Sequence, residues 1–194
     1  MGWLRSARDV RRAAGCEGCI LSGTVSLVPY TSAWPVEFTN EASAIRAAIG
    51  LACVHIHHIG STAVPGLLAK PVIDILVETE TLAALDAATP ALAALGYTAR
   101  GEYGIAGRRY FAKSDREGQR SHHLHAFTIG APEIARHLAF RDYLRTHDAA
   151  RAEYAAAKCA ALQDTGAIKA DYQSAKSACI ARLLEEALTG PASP

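Results

Sequence analysis

His58-Ile59-Gly60-Ser61-Thr62-Ala63-Val64-Pro65-Gly66-Leu67-Leu68-Ala69-Lys70-Pro71-Val72-Ile73-Asp74-Ile75-Leu76-Val77 is the stretch that decides the fold of this chain. An apolar run ends in a Gly-Ser turn. A loop with two prolines and a glycine follows, and a second apolar run carries one acid, Asp74. Both runs have the length and β-branched content of strands. A Gly-Ser turn can present backbone N–H groups to an anion, and Ser61 and Lys70 add a hydroxyl and a charge. Asp74 shares a strand face with Val72 and Leu76, where a plain core strand would not carry an acid. A buried carboxylate is costly unless it is paired, hydrogen-bonded or bound to a metal.

Upstream, Trp34-Pro35 opens a helix in which Phe38, Ala42, Ile45 and Ile49 recur at helical spacing, and Gly50 ends it. Ala52 to Ile59 is the first main strand. His55 and His57 share one of its faces; Val54, Ile56 and His58 share the other. No carboxylate is close to His55 and His57 in sequence, so solvated or hydrogen-bonded rings are expected there. His58 adjoins the Gly-Ser turn and is the exception.

Downstream, Val72 to Val77 is the second strand and Thr79 to about Ala88 a helix that Pro90 breaks or restarts. Tyr97 to Arg100 is a third strand. Arg108 to Ala112 and Arg120 to Ile129 form a hairpin across the hydrophilic segment 113–119. The second of these strands holds His123 and His125 on one face. That is a metal-ligand spacing, and it also suits phosphate. The remainder is helical, with Pro132 and Asp148 as start signals. Arg141 and Arg145 lie four apart, as do Tyr154 and Lys158, and Tyr172 and Lys176. Three helices thus each offer a cation, and a bound polyphosphate would need such a cationic wall.

The 194 residues suffice for one domain with a sizeable core. A net charge of +1 gives no field that favours nucleic acid, and no apolar run reaches the ~18 residues of a membrane span. Five scattered cysteines without a secretory signal point to a reducing cytoplasm. Cys16 and Cys19 form one Cys-x-x-Cys pair with no second pair, too few ligands for a closed zinc site.

Gly60-Ser61, Pro65-Gly66, Lys70-Pro71 and Asp74 together resemble the core of the GrpB family, a branch of the nucleotidyltransferase superfamily. The superfamily pattern is Gly-Ser, a short spacer, then Asp-x-Asp or Asp-x-Glu on the next strand. The resemblance runs from about Val25 to about Leu188. It implies an α/β fold: a nucleotidyltransferase-like mixed β-sheet with flanking helices and a helical C-terminal part. Residues 24–190 would form a single domain, and residues 1–23 an appended, flexible segment.

The implied activity is transfer of a nucleotidyl group from a nucleoside triphosphate to a small-molecule acceptor with Mg²⁺. Asp74 would be the catalytic, metal-holding acid. The nucleotide- and phosphate-binding candidates are His58, Gly60, Ser61, Thr62, Lys70, Arg109, His123, His125, Arg141, Arg145, Tyr154 and Lys158. Neither nucleic acid nor membrane is an expected partner, and a homodimer is the candidate assembly. Position 76 departs from the pattern, because Leu76 stands where the superfamily has its second metal-binding acid. The alternative is therefore a non-catalytic nucleotide- or phosphate-binding module. A third reading is a metal hydrolase built on His123, His125 and Asp74.

Overall fold

The structure, a computed structural model, describes residues 26–164, 174 and 176–189. The segment 1–23, the Cys16/Cys19 pair and Tyr172 lie outside the described residues. The chain forms two compact units. One comprises Ser32–Ala63 and Val72–Leu138; the other gathers described residues up to Thr31, Val64–Pro71 and the chain from Ala139 onward.

The first unit opens with α1 (Ala33–Ile49), which buries Trp34, Ala42, Ile45 and Ile49. Gly50, at φ 53°, ends it as expected and leads into a short 3-10 turn, Gly50–Ala52. That turn delays the first strand, so β1 is His55–Ile59 rather than Ala52–Ile59. Next comes β2 (Ile73–Thr79). Thr81, whose hydroxyl accepts the Ala84 N–H at 3.2 Å, caps α2 (Leu82–Ala87). Pro90 restarts the chain as α3 (Thr89–Ala94). Then follow β3 (Tyr97–Ala99), β4 (Arg109–Ser114) and β5 (Arg120–Thr128).

The sheet order is β1-β2-β5-β4-β3. Only β2 and β5 are parallel, and the other neighbours are antiparallel. The expected hairpin of β4 and β5 is present. The Asp115 carboxylate shapes its turn by accepting the N–H groups of Glu117 and Gln119 at 3.1 and 2.7 Å, the side-chain turn for which Asp is favoured. Glu41 of α1 accepts from Lys113 of β4 at 2.8 Å and ties helix to sheet. α4 (Pro132–Thr146) begins in this unit.

The second unit contains the rest of α4, then α5 (Asp148–Asp164) and α6 (Ser177–Thr189). Its core joins Val64 and Leu67 from the Pro-Gly loop to Leu144, Ala150, Tyr154, Ala155 and Leu183. A single bridge joins Val28 to Ala69, with N···O distances of 2.8 and 3.0 Å. Among the described residues no helix is long and apolar enough to cross a membrane.

Candidate functional site

Parallel pairing of β2 with β5 sets Asp74 beside His123 and Leu76 beside His125. Across β4, Tyr110 pairs with His125. Paired residues share a face, so these side chains form one patch. His123 Nδ1 lies 2.8 Å from Asp74 Oδ1. A carboxylate only accepts, so His123 donates to it from Nδ1. The Nε2 of the same ring is buried and makes no hydrogen bond. Gly60, at the end of β1, lies against Asp74 at φ 70°. A Cβ on Gly60 would stand 2.3 Å from Asp74 Oδ2 and 2.9 Å from its Cβ. Glycine is therefore required there by backbone and by space.

His125 sits deeper. Its ring lies 5.2 Å from that of Tyr110 and 5.6 Å from that of His137 on α4. Arg108 Nη1 is 3.4 Å from His125 Nδ1, while the rest of the guanidinium donates to the carbonyls of Glu102 and Tyr103 at 3.1 and 2.6 Å. Burial holds His125 down to about 3, with the nearby Asp74 carboxylate partly opposing. Burial likewise lowers His137. Desolvation raises the Tyr110 phenol. Burial therefore favours the neutral form of the His125 and His137 imidazoles.

Other expected site residues are engaged elsewhere. Thr62 donates to the Val72 carbonyl at 3.1 Å and lies 3.0 Å from His58 Nε2, whose ring stacks on Phe38 at 4.7 Å. This chain ties the Gly-Ser turn to the start of β2. Ser61 is half-buried and opens the 3-10 turn Ser61–Ala63. Arg109 pairs with Ala126, on the opposite face from His125, and grips both oxygens of Asp86 at 2.7 and 2.8 Å.

Arg141, Arg145, Tyr154, Lys158 and the half-buried Lys70 belong to the helical unit. Arg141 pairs with Asp142, and Arg145 reaches the same carboxylate. Lys158 is 2% exposed, donates to the Leu68 carbonyl and lies 4.7 Å from the centre of the Tyr154 ring. Burial, with Lys176 adding to it, lowers its pKa well below the ordinary range.

Sequence reasoning missed Arg108, Tyr110 and His137. Strand parity held the signal for the first two, because 108 and 110 share a face and 109 does not. His137 follows Ile134 by three residues, on the inward stripe of α4. His57, expected to be solvated or hydrogen-bonded, is hydrogen-bonded: Glu78, on the neighbouring strand, lies 2.7 Å from its Nε2.

Asp74, His123 and His125 each offer one ligand atom, all within 4.8 Å of one another. This donor set does not fit a two-carboxylate magnesium clamp. Mg²⁺ prefers oxygen ligands in near-octahedral array, whereas here one carboxylate faces two imidazoles. Leu76 is fully buried and packs with Ile59, Phe127 and Ile134.

The architecture is that of a nucleotidyltransferase-like α/β protein. It resembles the Cid1 poly(U) polymerase in a structure bound to MgATP, with a TM-score of 0.50 over 70% of this chain and 45% of that one; at 10% identity the likeness is one of fold. The GrpB protein family model matches residues 24–186, and the chain belongs to that family. The conserved protein GrpB from Enterococcus faecalis superposes with a TM-score of 0.78 at 37% identity, covering 84% of this chain and 96% of that one. The UPF0157 protein YqkA of Bacillus subtilis is 43% identical over 134 residues, 69% of this chain; the chain spans only 38% of YqkA's length.

Proposed function

We propose that this chain is a nucleotide-binding member of the GrpB family that does not use the two-acid, magnesium-dependent transfer chemistry of the superfamily. The observation carrying this reading is Leu76. It occupies the position of the second acid, points to the same face as Asp74 and is sealed in an apolar cluster. In-line transfer through a metal clamp needs charge at that position to stabilise the attacking and leaving oxygens. Nucleotide binding itself is supported by the Gly60-Ser61 turn set against Asp74, and by the MgATP carried by Cid1 on a related fold. The neutral imidazoles and the Arg108 guanidinium add polar groups suited to a phosphate or a base edge.

A second reading, nucleotidyl transfer to a small-molecule acceptor, keeps one observation in its favour. The Gly-Ser turn and the first acid of the superfamily pattern are both present, and Gly60 lies against Asp74. Calorimetric titration of ATP, CTP, GTP and UTP, each with and without Mg²⁺, paired with a pyrophosphate-release assay, separates the two. The binding reading expects saturable heat with at least one nucleotide and no catalytic pyrophosphate release. Turnover would favour transfer, and no binding of any nucleotide would refute both.

A further inference from the structure

The mismatch between the sheet site and a magnesium clamp points to a different ion. We propose that Asp74, His123 and His125 form a binding site for a divalent transition-metal ion of the zinc or cobalt type. Imidazole nitrogen suits zinc, cobalt, nickel and copper, whereas magnesium takes oxygen. Two imidazoles and one carboxylate, with the remaining positions left to water or a ligand, form the donor set of open metal centres. The three ligand atoms already lie within 4.8 Å of one another. Around tetrahedral zinc, with bonds of ~2.0–2.2 Å, ligand atoms stand about 3.4 Å apart, so modest side-chain rotations would close the set.

The contact of His123 with Asp74 sets where the ion would sit. Its Nδ1 is held by the Asp74 carboxylate at 2.8 Å, and its Nε2 is buried without a partner. An ion that both residues ligate would take the place of the proton they share at Nδ1, because Nε2 lies on the far side of the ring from the carboxylate.

Arg108 works against the ion. Its Nη1 stands 3.4 Å from His125 Nδ1, at the long limit for a hydrogen bond. Two backbone carbonyls already anchor the guanidinium, so coordination at His125 Nδ1 would displace a weak contact. The neighbouring positive charge makes the affinity modest. Leu76 supplies no ligand to complete the shell.

The test needs no nucleotide, so the failure of nucleotide binding would leave this inference standing, and the reverse. Metal-stripped full-length protein is titrated with Co²⁺ while visible d–d absorption is followed, and zinc content is measured after desalting. The expected result is one equivalent of metal, not displaced by a large excess of Mg²⁺, with no thiolate charge-transfer band. Asp74→Asn, His123→Gln and His125→Gln should each weaken binding at least tenfold, with folding checked by circular dichroism. If His125→Gln fails to fold, the half-exposed Asp74 and His123 variants carry the test. His57→Gln, in the separate histidine pair beside Glu78, should bind as wild type. No cobalt binding, undiminished binding in the Asp74 and His123 variants, loss in the His57 variant, displacement by Mg²⁺ or a thiolate band would each overturn the proposal.

Discussion

Gly60→Ala tests the packing on which the site rests. Gly60 has φ 70°, a conformation that costs a residue with a Cβ about 1–2 kcal/mol. The new methyl would also meet Asp74 Oδ2 at 2.3 Å and its Cβ and Cγ at 2.9 Å. Either Asp74 rotates, breaking its 2.8 Å contact with His123, or the backbone shifts. Overpacking of this kind adds roughly 1–3 kcal/mol. The sum is about 2–5 kcal/mol, which for a chain of this size lowers Tm by on the order of 10 °C. Urea denaturation and thermal melting of Gly60→Ala, Asp74→Ala and the double variant read the effect as a cycle. Asp74→Ala removes Oδ2 and Cγ but leaves Cβ, so it should recover most of the collision and none of the φ strain. If Gly60→Ala is as stable as wild type, or if its cost is the same with and without the Asp74 carboxylate, the close approach is not what fixes glycine at this position.

Two further outcomes follow from the same face of the sheet. Burial holds His125 at about 3 against an ordinary 6.5, so between these values the unfolded chain takes a proton that the folded site refuses. Stability is lost as pH falls through that window, and His125→Gln should remove this slope. The difference between wild type and variant, measured by urea denaturation from pH 7 to 4, should change by ~1 kcal/mol per pH unit, less than the full linkage value because the ring keeps some exposure; a difference that does not vary with pH would refute it. Leu76→Asp should not restore a magnesium clamp. Removing a leucine from the Ile59, Phe127 and Ile134 cluster and burying a charge there should destabilise by several kcal/mol. A variant that melts with wild type and gains Mg²⁺-dependent nucleotide binding would show the reading of that cluster to be wrong.

The strands were legible because their periods are strong. Alternation placed Asp74 with Leu76, and His123 with His125, on the right faces, and the polar segment between β4 and β5 marked the hairpin. Strand ends were less legible, since the Gly50–Ala52 turn is set by backbone conformation rather than by hydrophobic pattern. The Asp74–His123 contact joins residues 49 apart, and nothing local announces that β2 and β5 run parallel and adjacent. The sequence offered Arg109, and not Arg108, as a phosphate ligand. Only register decides between them, since it turns Arg109 toward Asp86 and leaves Arg108 beside His125. Spacing of four along a helix likewise says which side chains share a face but not what that face meets. Tyr154 and Lys158 do share one, yet Lys158 is buried on a backbone carbonyl.

A gradient of hydration along β2 links these observations. The Asp74 side chain is 27% exposed and that of His123 is 21% exposed, while Leu76, two residues on, is fully buried. His125, paired with Leu76, lies at the drier end, which is why its imidazole resists protonation. An acid at position 76 would sit where charge is hardest to keep, unless a permanent dication and its waters were held beside it. The chain instead closes that end with Ile59, Phe127 and Ile134 and confines polar chemistry to the Asp74 end. There a single carboxylate, fixed by Gly60 behind it and His123 beside it, can hold one ion or orient one imidazole. That division follows from side-chain volumes on two paired strands, and it accounts together for the missing second acid, the depressed histidine and the bare nitrogen of His123.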